Sequence, residues 1–155
     1  MNDHKLNTSW TIYIHNIHDK DWSLESYKKV FTIRTIEDFW VFFSNFTRFR
    51  EFNFYIMRGN IKPVYEDKLN INGGSYSYIV QGKEVRETLI HVLMKMIGET
   101  LINVNHHRQI TGVSLVPKRG TSILKIWISN KKKLMELNIN DISGLTSQRF
   151  QSHKL

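Results

Sequence analysis

The chain has 155 residues, a formal net charge of +8, 41% hydrophobic residues and no cysteine. This length predicts a single domain, 1–155, with its own core, and the composition excludes collagen-like, coiled-coil and wholly disordered proteins. The missing thiols exclude disulfide scaffolds, cysteine nucleophiles and thiolate metal centres. No apolar run reaches the ~18 residues of a membrane span and no signal peptide opens the chain, so we expect a cytoplasmic protein. The positive charge raises the question of a polyanionic partner.

The first third of the chain predicts two strands and a short helix. Residues 10–16 alternate with a period of two, and residues 27–34 are rich in β-branched and aromatic side chains. Thr35 and Asp38 fit the signal that begins a helix, which is predicted to run to about Phe46. This helix is apolar on nearly every side, whereas joining a core needs only one apolar stripe. We therefore expect its excess apolar face to be covered by something inside or outside the chain.

The remaining patterns predict four more strands and a second helix. Strands are predicted over 52–57 and 75–80, separated by a long polar loop. The helix is predicted over 84–97 with Gly98 placed to end it, and 110–116 with 122–129 predict a hairpin before a polar, weakly patterned tail from Lys131. This order predicts an α+β domain with a mainly antiparallel sheet. Two helices are too few to cover both faces of that sheet, so we expect one open face.

Aromatic residues in two polar loops are the first candidates for binding. Trp22 and Tyr65 could stack on nucleic-acid bases, and Glu66, next to Tyr65, could accept hydrogen bonds from a guanine edge. Basic side chains near the predicted hairpin could receive phosphates: Lys118, Arg119 and Lys125. The alternative is that the loop tryptophan packs over the edge of the core and the carboxylate is solvated. The residues alone favour that alternative.

Taken together, short segments spread along the chain resemble the cap-binding family of translation initiation factor 4E. They are Trp10, Trp22, Thr35-Ile-Glu-Asp-Phe-Trp40, Pro63-Val-Tyr-Glu-Asp67, Gly73-Gly-Ser-Tyr76, Ile97-Gly-Glu99, Gly112-Val113, Ile126-Trp127 and Phe150-Gln-Ser-His153. Each is short, but their joint order and spacing over almost the whole chain make the match specific. The resemblance implies a curved antiparallel sheet, cupped like a hand, with helices on the convex face. Within it, Phe150-Gln-Ser-His153 resembles the family's late strand. The chain resembles a compact member with an N-terminal arm, 1–8, and a shortened C-terminal region, 130–155.

The resemblance also implies a ligand, the 7-methylguanosine cap of messenger RNA. Methylation at N7 gives the base a positive charge, which two aromatic rings can hold between them by cation–π attraction. The matching positions for the rings are Trp22 and Tyr65, and Glu66 matches the residue that reads the guanine edge. Trp127 matches the residue beside the N7 methyl group. Lys118, Arg119 and Lys125 lie where the family binds phosphates, and which of them meets which phosphate is left open.

A second surface is implied on the convex helices, where family members bind a helical peptide from scaffold factor 4G or from a 4E-binding repressor. The matching positions are His4, Ile36, Trp40, Ile90, Met94 and Gly98. Ile36 and Trp40 lie four residues apart on one helix face, which accounts for the excess apolar surface. The alternative is that the chain's own termini cover these helices. Apart from this scaffold, we expect a monomer.

The resulting hypothesis is a non-catalytic cap-binding factor that promotes translation initiation, without cofactor or metal. Two alternatives remain open: a repressor-like cap binder that does not engage the scaffold, and an interaction module whose cap pocket is impaired because Tyr65 and Ser75 depart from the family pattern. An enzyme is the weakest alternative, since no metal–carboxylate cluster is evident. The pairs His15/His18 and His106/His107 lack a third ligand at fixed spacing. The Asn-, Lys- and Ile-rich composition is typical of an AT-rich genome, such as that of a virus or a reduced eukaryote.

Overall fold

Seven strands and two α-helices make up the computed structural model, which describes residues 3–102, 108–132 and 136–153. His106, His107 and Lys133 lie outside the described residues. The strands are β1 (Lys5–Asn16), β2 (Lys28–Thr35), β3 (Phe52–Arg58), β4 (Gly74–Gln81), β5 (Ile110–Pro117), β6 (Thr121–Ile128) and β7 (Thr146–Ser152). The helices are α1 (Ile36–Asn45) and α2 (Val85–Ile97), with short 3-10 turns at Leu24–Ser26 and Gly82–Glu84. None of the described helices is long and apolar enough to cross a membrane.

All strands join one curved antiparallel sheet in the order β2-β1-β3-β5-β6-β4-β7. The predicted strands, helices and hairpin are therefore confirmed, with two differences. β1 begins at Lys5, because the polar residues before Trp10 pair with neighbouring strands without an apolar alternation that would reveal them. The local pattern after Lys131 predicted only a polar tail, and this was wrong: the segment buries Leu137 and Ile142 in the core and supplies β7, where the resemblance implied a late strand.

Alternation along the strands divides the side chains between two faces of the sheet. Trp10, Ile12, Phe54 and Ile56 point to one face, where they form the main core with residues of both helices, including Phe39 and Leu89. The side chains between them point the other way and form a smaller cluster: Tyr13, Tyr55, Met57, Ile61 and Trp127. Both helices therefore cover the same, convex face. The concave face has no helix among the described residues, as expected.

Helix α1 begins where the sequence predicts. The Thr35 side chain accepts a hydrogen bond from the Asp38 N–H, and the Asp38 carboxylate accepts one from the Thr35 N–H, which is the capping box. Phe39 and Phe43 of this helix are buried in the main core. The same geometry leaves Trp40 on the outer side of the helix, 42% exposed.

The end of α2 rests on a buried ion pair that the sequence did not predict. Gly98 caps the helix with an ordinary φ of −82°, whereas the next residue, Glu99, takes the left-handed φ of 59°. The Glu99 carboxylate accepts hydrogen bonds from both Nη atoms of Arg58, at 2.8 and 3.0 Å. The Arg58 guanidinium also lies 4.4 Å from the Trp10 ring centroid and donates to the Ile110 carbonyl. This network joins β1, β3 and β5 to the helix end, and it holds Glu99 in a conformation that usually favours glycine.

Candidate functional site

A cavity of about 420 Å³ opens on the concave face of the sheet. Trp22, Tyr65, Glu66 and Trp127, which were predicted to form one site, all line it. They come from the loop after β1, the loop between β3 and β4, and strand β6. The remaining lining residues are Tyr27, Tyr55, Pro63, Val64 and Val116. The fold therefore brings side chains that are distant in the sequence into one mostly aromatic pocket.

One wall of the cavity is Trp22, whose side chain is 54% exposed. Its ring lies flat on the imidazole of His15, with the ring centroids 4.1 Å apart and an angle of 7° between the planes. His15 is a β1 residue that is only 1% exposed. Trp22 is thus held from behind, while the rest of its surface faces solvent and the cavity.

The other wall is Tyr65, which belongs to the loop between β3 and β4. Its ring stacks on His153, with centroids 4.4 Å apart and planes at 18°, and lies 5.1 Å from the Trp127 ring. His153 donates from Nδ1 to the Asn70 carbonyl. Burial of His153 lowers the pKa of its imidazole, with a further contribution from the Lys125 charge. The ring behind Tyr65 is therefore neutral near pH 7.

Internal hydrogen bonds order the loop that carries Tyr65. The Asp67 carboxylate accepts from the Lys62 and Leu69 N–H groups, both at 2.9 Å. The buried Asn70 amide donates to the Lys62 and Val64 carbonyls. Asp67 therefore orders the loop, and it is not among the residues that line the cavity.

Glu66, in contrast, is exposed and lines the cavity. In the part of the chain that the structure describes, its carboxylate has neither a hydrogen bond nor an ion pair. A free carboxylate at the edge of an aromatic slot can accept two hydrogen bonds from one planar ligand. Of the two adjacent acidic residues of this loop, only Glu66 lines the cavity.

The floor of the cavity is aromatic and uncharged. The Trp127 indole is 4% exposed and donates from Nε1 to the Ser114 hydroxyl, at 3.0 Å. Tyr27 and Tyr55 pack beside it with ring centroids 5.2 Å apart. Burial raises the pKa of Tyr27 to about 12 and also raises the pKa of Tyr55. Both phenols therefore stay protonated near pH 7, and the floor favours a flat apolar or cationic group.

The three basic residues that were predicted to bind phosphate lie in two places. The Lys125 ammonium is beside the Tyr65 wall and donates to the Tyr65 hydroxyl, at 3.2 Å. Lys118 and Arg119 are exposed at the tip of the β5–β6 hairpin, where Gly120 takes a φ of +74° to close the turn. Arg50, which the sequence analysis did not single out, donates to the Lys118 and Thr121 carbonyls and holds this tip.

The predicted partner-binding residues lie on the convex side of the molecule. Ile36, Trp40 and Met94 are exposed, as is Gly98, whereas Ile90 is half-buried against the core. His4 binds the first turn of α1: its backbone N–H and its Nδ1 both donate to the Glu37 carboxylate, at 2.7 and 2.9 Å. The His4 backbone hydrogen bond is the main reason that the pKa of Glu37 is lowered. In the described residues the start of the chain therefore docks beside Ile36 but does not cover Trp40.

Metal-binding chemistry has no support in the described ranges, 3–102, 108–132 and 136–153. Within them, no group of three or more His, Asp or Glu side chains is arranged to hold an ion. His15 and His18 do not act as a pair, because the His15 ring nitrogens face the Asp21 carbonyl and the Asn53 amide.

The family model for eukaryotic initiation factor 4E matches residues 5–154 of the chain. The chain belongs to this family. The 4E family consists of translation initiation factors and not of enzymes. The chain is 30% identical over 139 residues to translation initiation factor 4E of Saccharomyces cerevisiae, an alignment that covers 84% of this chain. It spans 64% of the length of that yeast protein.

Solved structures of 4E proteins have the same fold. A schistosome 4E protein complexed with m7GpppG and a 4E-binding protein has a TM-score of 0.78 and 30% identity, covering 86% of this chain and 76% of that one. Caenorhabditis elegans 4E-3, solved with the 4E-binding protein Mextli and a cap analogue, has a TM-score of 0.80 at 19% identity. That comparison covers 98% of this chain and 94% of the other. The expected cupped-hand fold is confirmed.

Two histidines of the site were missed in the sequence. His15 continues the alternation of β1 on the same face as Tyr13, so its position on the concave side could have been predicted from the strand pattern alone. His153 belongs to a segment that was matched to a late strand of the 4E family, but no local pattern places it behind Tyr65. Only the pairing of β7 with β4, a contact between distant segments, does so.

Proposed function

We propose that this 4E protein binds the 7-methylguanosine cap of messenger RNA in the concave cavity. The observation that carries the proposal is the convergence of Trp22, Tyr65, Glu66 and Trp127 on one pocket. Support also comes from the schistosome relative, which was solved with m7GpppG.

The chemistry of the cavity suits a methylated guanine. The N7-methylated base is a flat cation, and each aromatic face contributes about 0.5–2 kcal/mol of cation–π attraction, depending on desolvation. Between the walls Trp22 and Tyr65, the free Glu66 carboxylate accepts hydrogen bonds from the guanine N1–H and N2–H₂ groups. Trp127, at the floor, contacts the methyl group. Lys125 and the hairpin tip with Lys118 and Arg119 receive the phosphates.

Tryptophan fluorescence during titration with 7-methyl-GTP and with GTP tests this proposal. We expect quenching by 7-methyl-GTP at concentrations where GTP has little effect, because only the methylated base carries the positive charge that the rings of Trp22 and Tyr65 attract. Glu66→Ala should weaken binding of 7-methyl-GTP by removing the guanine contact, whereas Glu87→Ala, a change to an exposed carboxylate of α2 away from the cavity lining, should bind like the wild type. Equal responses of the wild-type protein to both nucleotides would contradict cap binding.

We further propose that the convex surface, defined by Ile36, Trp40, Ile90, Met94 and Gly98, binds a helical peptide from a scaffold such as initiation factor 4G or from a 4E-binding repressor. The supporting observation is that Ile36 and Trp40 are each 42% exposed on the outer side of α1. Large apolar side chains exposed together are typical of interaction sites. The schistosome relative was solved with a 4E-binding protein, which supports the same reading.

Trp40→Ala tests the convex surface. Calorimetric titration with a peptide that carries a 4E-binding motif should show binding to the wild type and a loss of about ten-fold or more in the variant, since buried tryptophans are frequent hot spots. Quenching by 7-methyl-GTP should be unchanged, because Trp40 lies on the opposite face from the cavity. Peptide binding that is indifferent to Trp40 would contradict this docking surface. A wild-type protein that binds 7-methyl-GTP but not the peptide would favour the repressor-like alternative.

Promotion of translation initiation, in the cytoplasm, requires both surfaces at once. A translation extract depleted of its own 4E protein should regain translation of a capped reporter when the wild-type chain is added. Trp40→Ala should fail to restore it while still binding the cap. An interaction module with an impaired pocket would bind the peptide and ignore 7-methyl-GTP.

A further inference from the structure

His15 makes two contacts at Trp22: it stacks on the Trp22 ring, and it bonds to the backbone of the preceding residue, Asp21. The imidazole lies flat under the indole at 4.1 Å, and its Nε2 donates to the Asp21 carbonyl at 2.7 Å. The carbonyl can only accept, so the proton is on Nε2, and Nδ1 is left to accept from the Asn53 amide at 3.4 Å. Both ring nitrogens of this buried side chain are thus engaged in the neutral state.

The loop around Trp22 has little else to hold the indole. The Asp19 and Asp21 carboxylates accept from the Asp21 and Ser23 N–H groups, which orders the backbone but does not orient the Trp22 ring. The Tyr27 ring is farther away, at 6.3 Å and tilted by 55°. A ring that is 54% exposed would otherwise sample several rotamers, and fixing such a side chain on binding lowers the affinity by about two- to ten-fold.

Neither phenylalanine nor asparagine could make both contacts from this position. Phenylalanine could stack on the indole but has no donor for the Asp21 carbonyl, and an asparagine could donate but could not stack. The position is also rigid, because β1 is hydrogen-bonded on both sides, to β2 and to β3.

We propose that His15 is the positioning residue of Trp22: it holds the indole in its stacking orientation before a ligand arrives, so that binding does not have to order it. The inference deepens the proposed cap-binding function and rests on it for its consequence for affinity. The orientation of Trp22 in the free protein does not depend on that function.

The test measures the free protein and the complex separately. Heteronuclear NOE values of the Trp22 indole N–H, assigned with Trp22→Phe, report its order without ligand, and titration with 7-methyl-GTP gives the affinity. His15→Leu keeps a similar apolar volume but has neither the flat ring nor the donor. We expect a mobile Trp22 indole and an affinity lower by about two- to ten-fold, which reflects the ordering penalty. His18→Ala, an exposed histidine in the same loop, should match the wild type in both measurements.

His15→Phe is the rescue variant, and it is the more conservative change should His15→Leu fail to fold. Its ring should keep the Trp22 indole ordered, while loss of the Nε2 donor should speed hydrogen exchange of the Asp21 and Ser23 amides, which donate to carboxylates of the same loop. A Trp22 indole that is as ordered in His15→Leu as in the wild type would overturn the proposal and make His15 a packing residue only. So would His15→Phe with unchanged exchange in this loop. If the wild type ignores 7-methyl-GTP, cap binding fails, but the NOE comparison still decides the role of His15.

Discussion

The Trp22 ring rests on His15, a buried residue of an inner strand, whereas the Tyr65 ring rests on His153, just after the edge strand β7. Behind Trp22, both ring nitrogens of the histidine are engaged. Behind Tyr65, the His153 Nε2 has no partner in the described part of the chain, and the Lys125 ammonium also bonds to Tyr65. In both walls an aromatic ring therefore stacks on a histidine, but the two histidines differ in the hydrogen bonds that hold them. We infer that the Trp22 wall is preset and that the Tyr65 wall depends on segments at the edge of the sheet.

Removing each wall in turn should have the largest effect. Trp22→Ala should weaken binding of 7-methyl-GTP by about 30- to 100-fold, because a stacked base contributes about 1–3 kcal/mol. Tyr65→Ala should weaken it less, by about ten-fold, since tyrosine attracts a cation less strongly than tryptophan. Calorimetric titration of the two variants measures both losses. An equal loss, or a larger one for Tyr65, would break the comparison.

Strengthening the weaker wall is the reverse experiment. Tyr65→Trp should raise the affinity for 7-methyl-GTP by about two- to five-fold, since the larger ring has the stronger π-face for a cation. The effect is limited because the variant loses the hydrogen bond from Lys125. Quenching titrations that compare the variant with the wild type are sufficient. A weaker variant would mean that the tyrosine hydroxyl contributes more than the ring.

Lowering the pH should have a smaller effect, which concerns the stability of the fold behind Tyr65. Burial holds the pKa of His153 below its ordinary value, so the unfolded chain binds the proton more readily than the folded one. The free energy of unfolding should therefore decrease as the pH falls through about 6.5 and below. His153→Phe, which keeps a ring behind Tyr65, should lose this part of the pH dependence. Urea unfolding of both proteins between pH 7.5 and 5.5 measures it, and parallel curves would show that His153 contributes nothing.

The smallest effect concerns the phosphates, which neither wall touches. With only Lys118, Arg119 and Lys125 as candidates, the affinity for 7-methyl-GTP should fall with a log–log salt slope no steeper than about −2, at ~0.7 per phosphate contact. Lys118→Ala should make that slope shallower without changing the preference over GTP. Titrations with 7-methyl-GTP over about a six-fold range of salt, from about 50 to 300 mM, measure this slope. A steep slope would mean that the basic residues, and not the aromatic rings, contribute most of the affinity for 7-methyl-GTP.

Local patterns in the sequence predicted most of the fold. The alternation of β1, the capping box of Thr35 and Asp38, and the hairpin before Trp127 are signals carried by neighbouring residues. β7 was found only through resemblance, because Thr146–Ser152 is mostly exposed and polar and is placed by pairing with β4. The pairing of Arg58 with Glu99 was missed for a similar reason. It joins a strand to a helix end across 41 residues, and nothing in either local sequence requires it.

In the site, too, some residues were predicted from the sequence and others were not. Resemblance placed Trp22, Tyr65, Glu66 and Trp127, and the structure brings all four to one cavity. What lies behind the walls was not predicted, because His15 and His153 act through ring contacts across the sheet. The difference between Glu66 and Asp67 was also hidden. Both are acidic loop residues in the sequence, and only the hydrogen bonds of Asp67 to Lys62 and Leu69 show that one carboxylate is occupied.

A crystal structure of the chain with 7-methyl-GTP bound tests the central claim most directly. We predict the methylated guanine between the rings of Trp22 and Tyr65, with its N1–H and N2–H₂ groups donating to the Glu66 carboxylate and its methyl group against Trp127. The Trp22 ring should keep its position on His15. A nucleotide bound elsewhere, or a base in the cavity that does not lie between these two rings, would contradict the account.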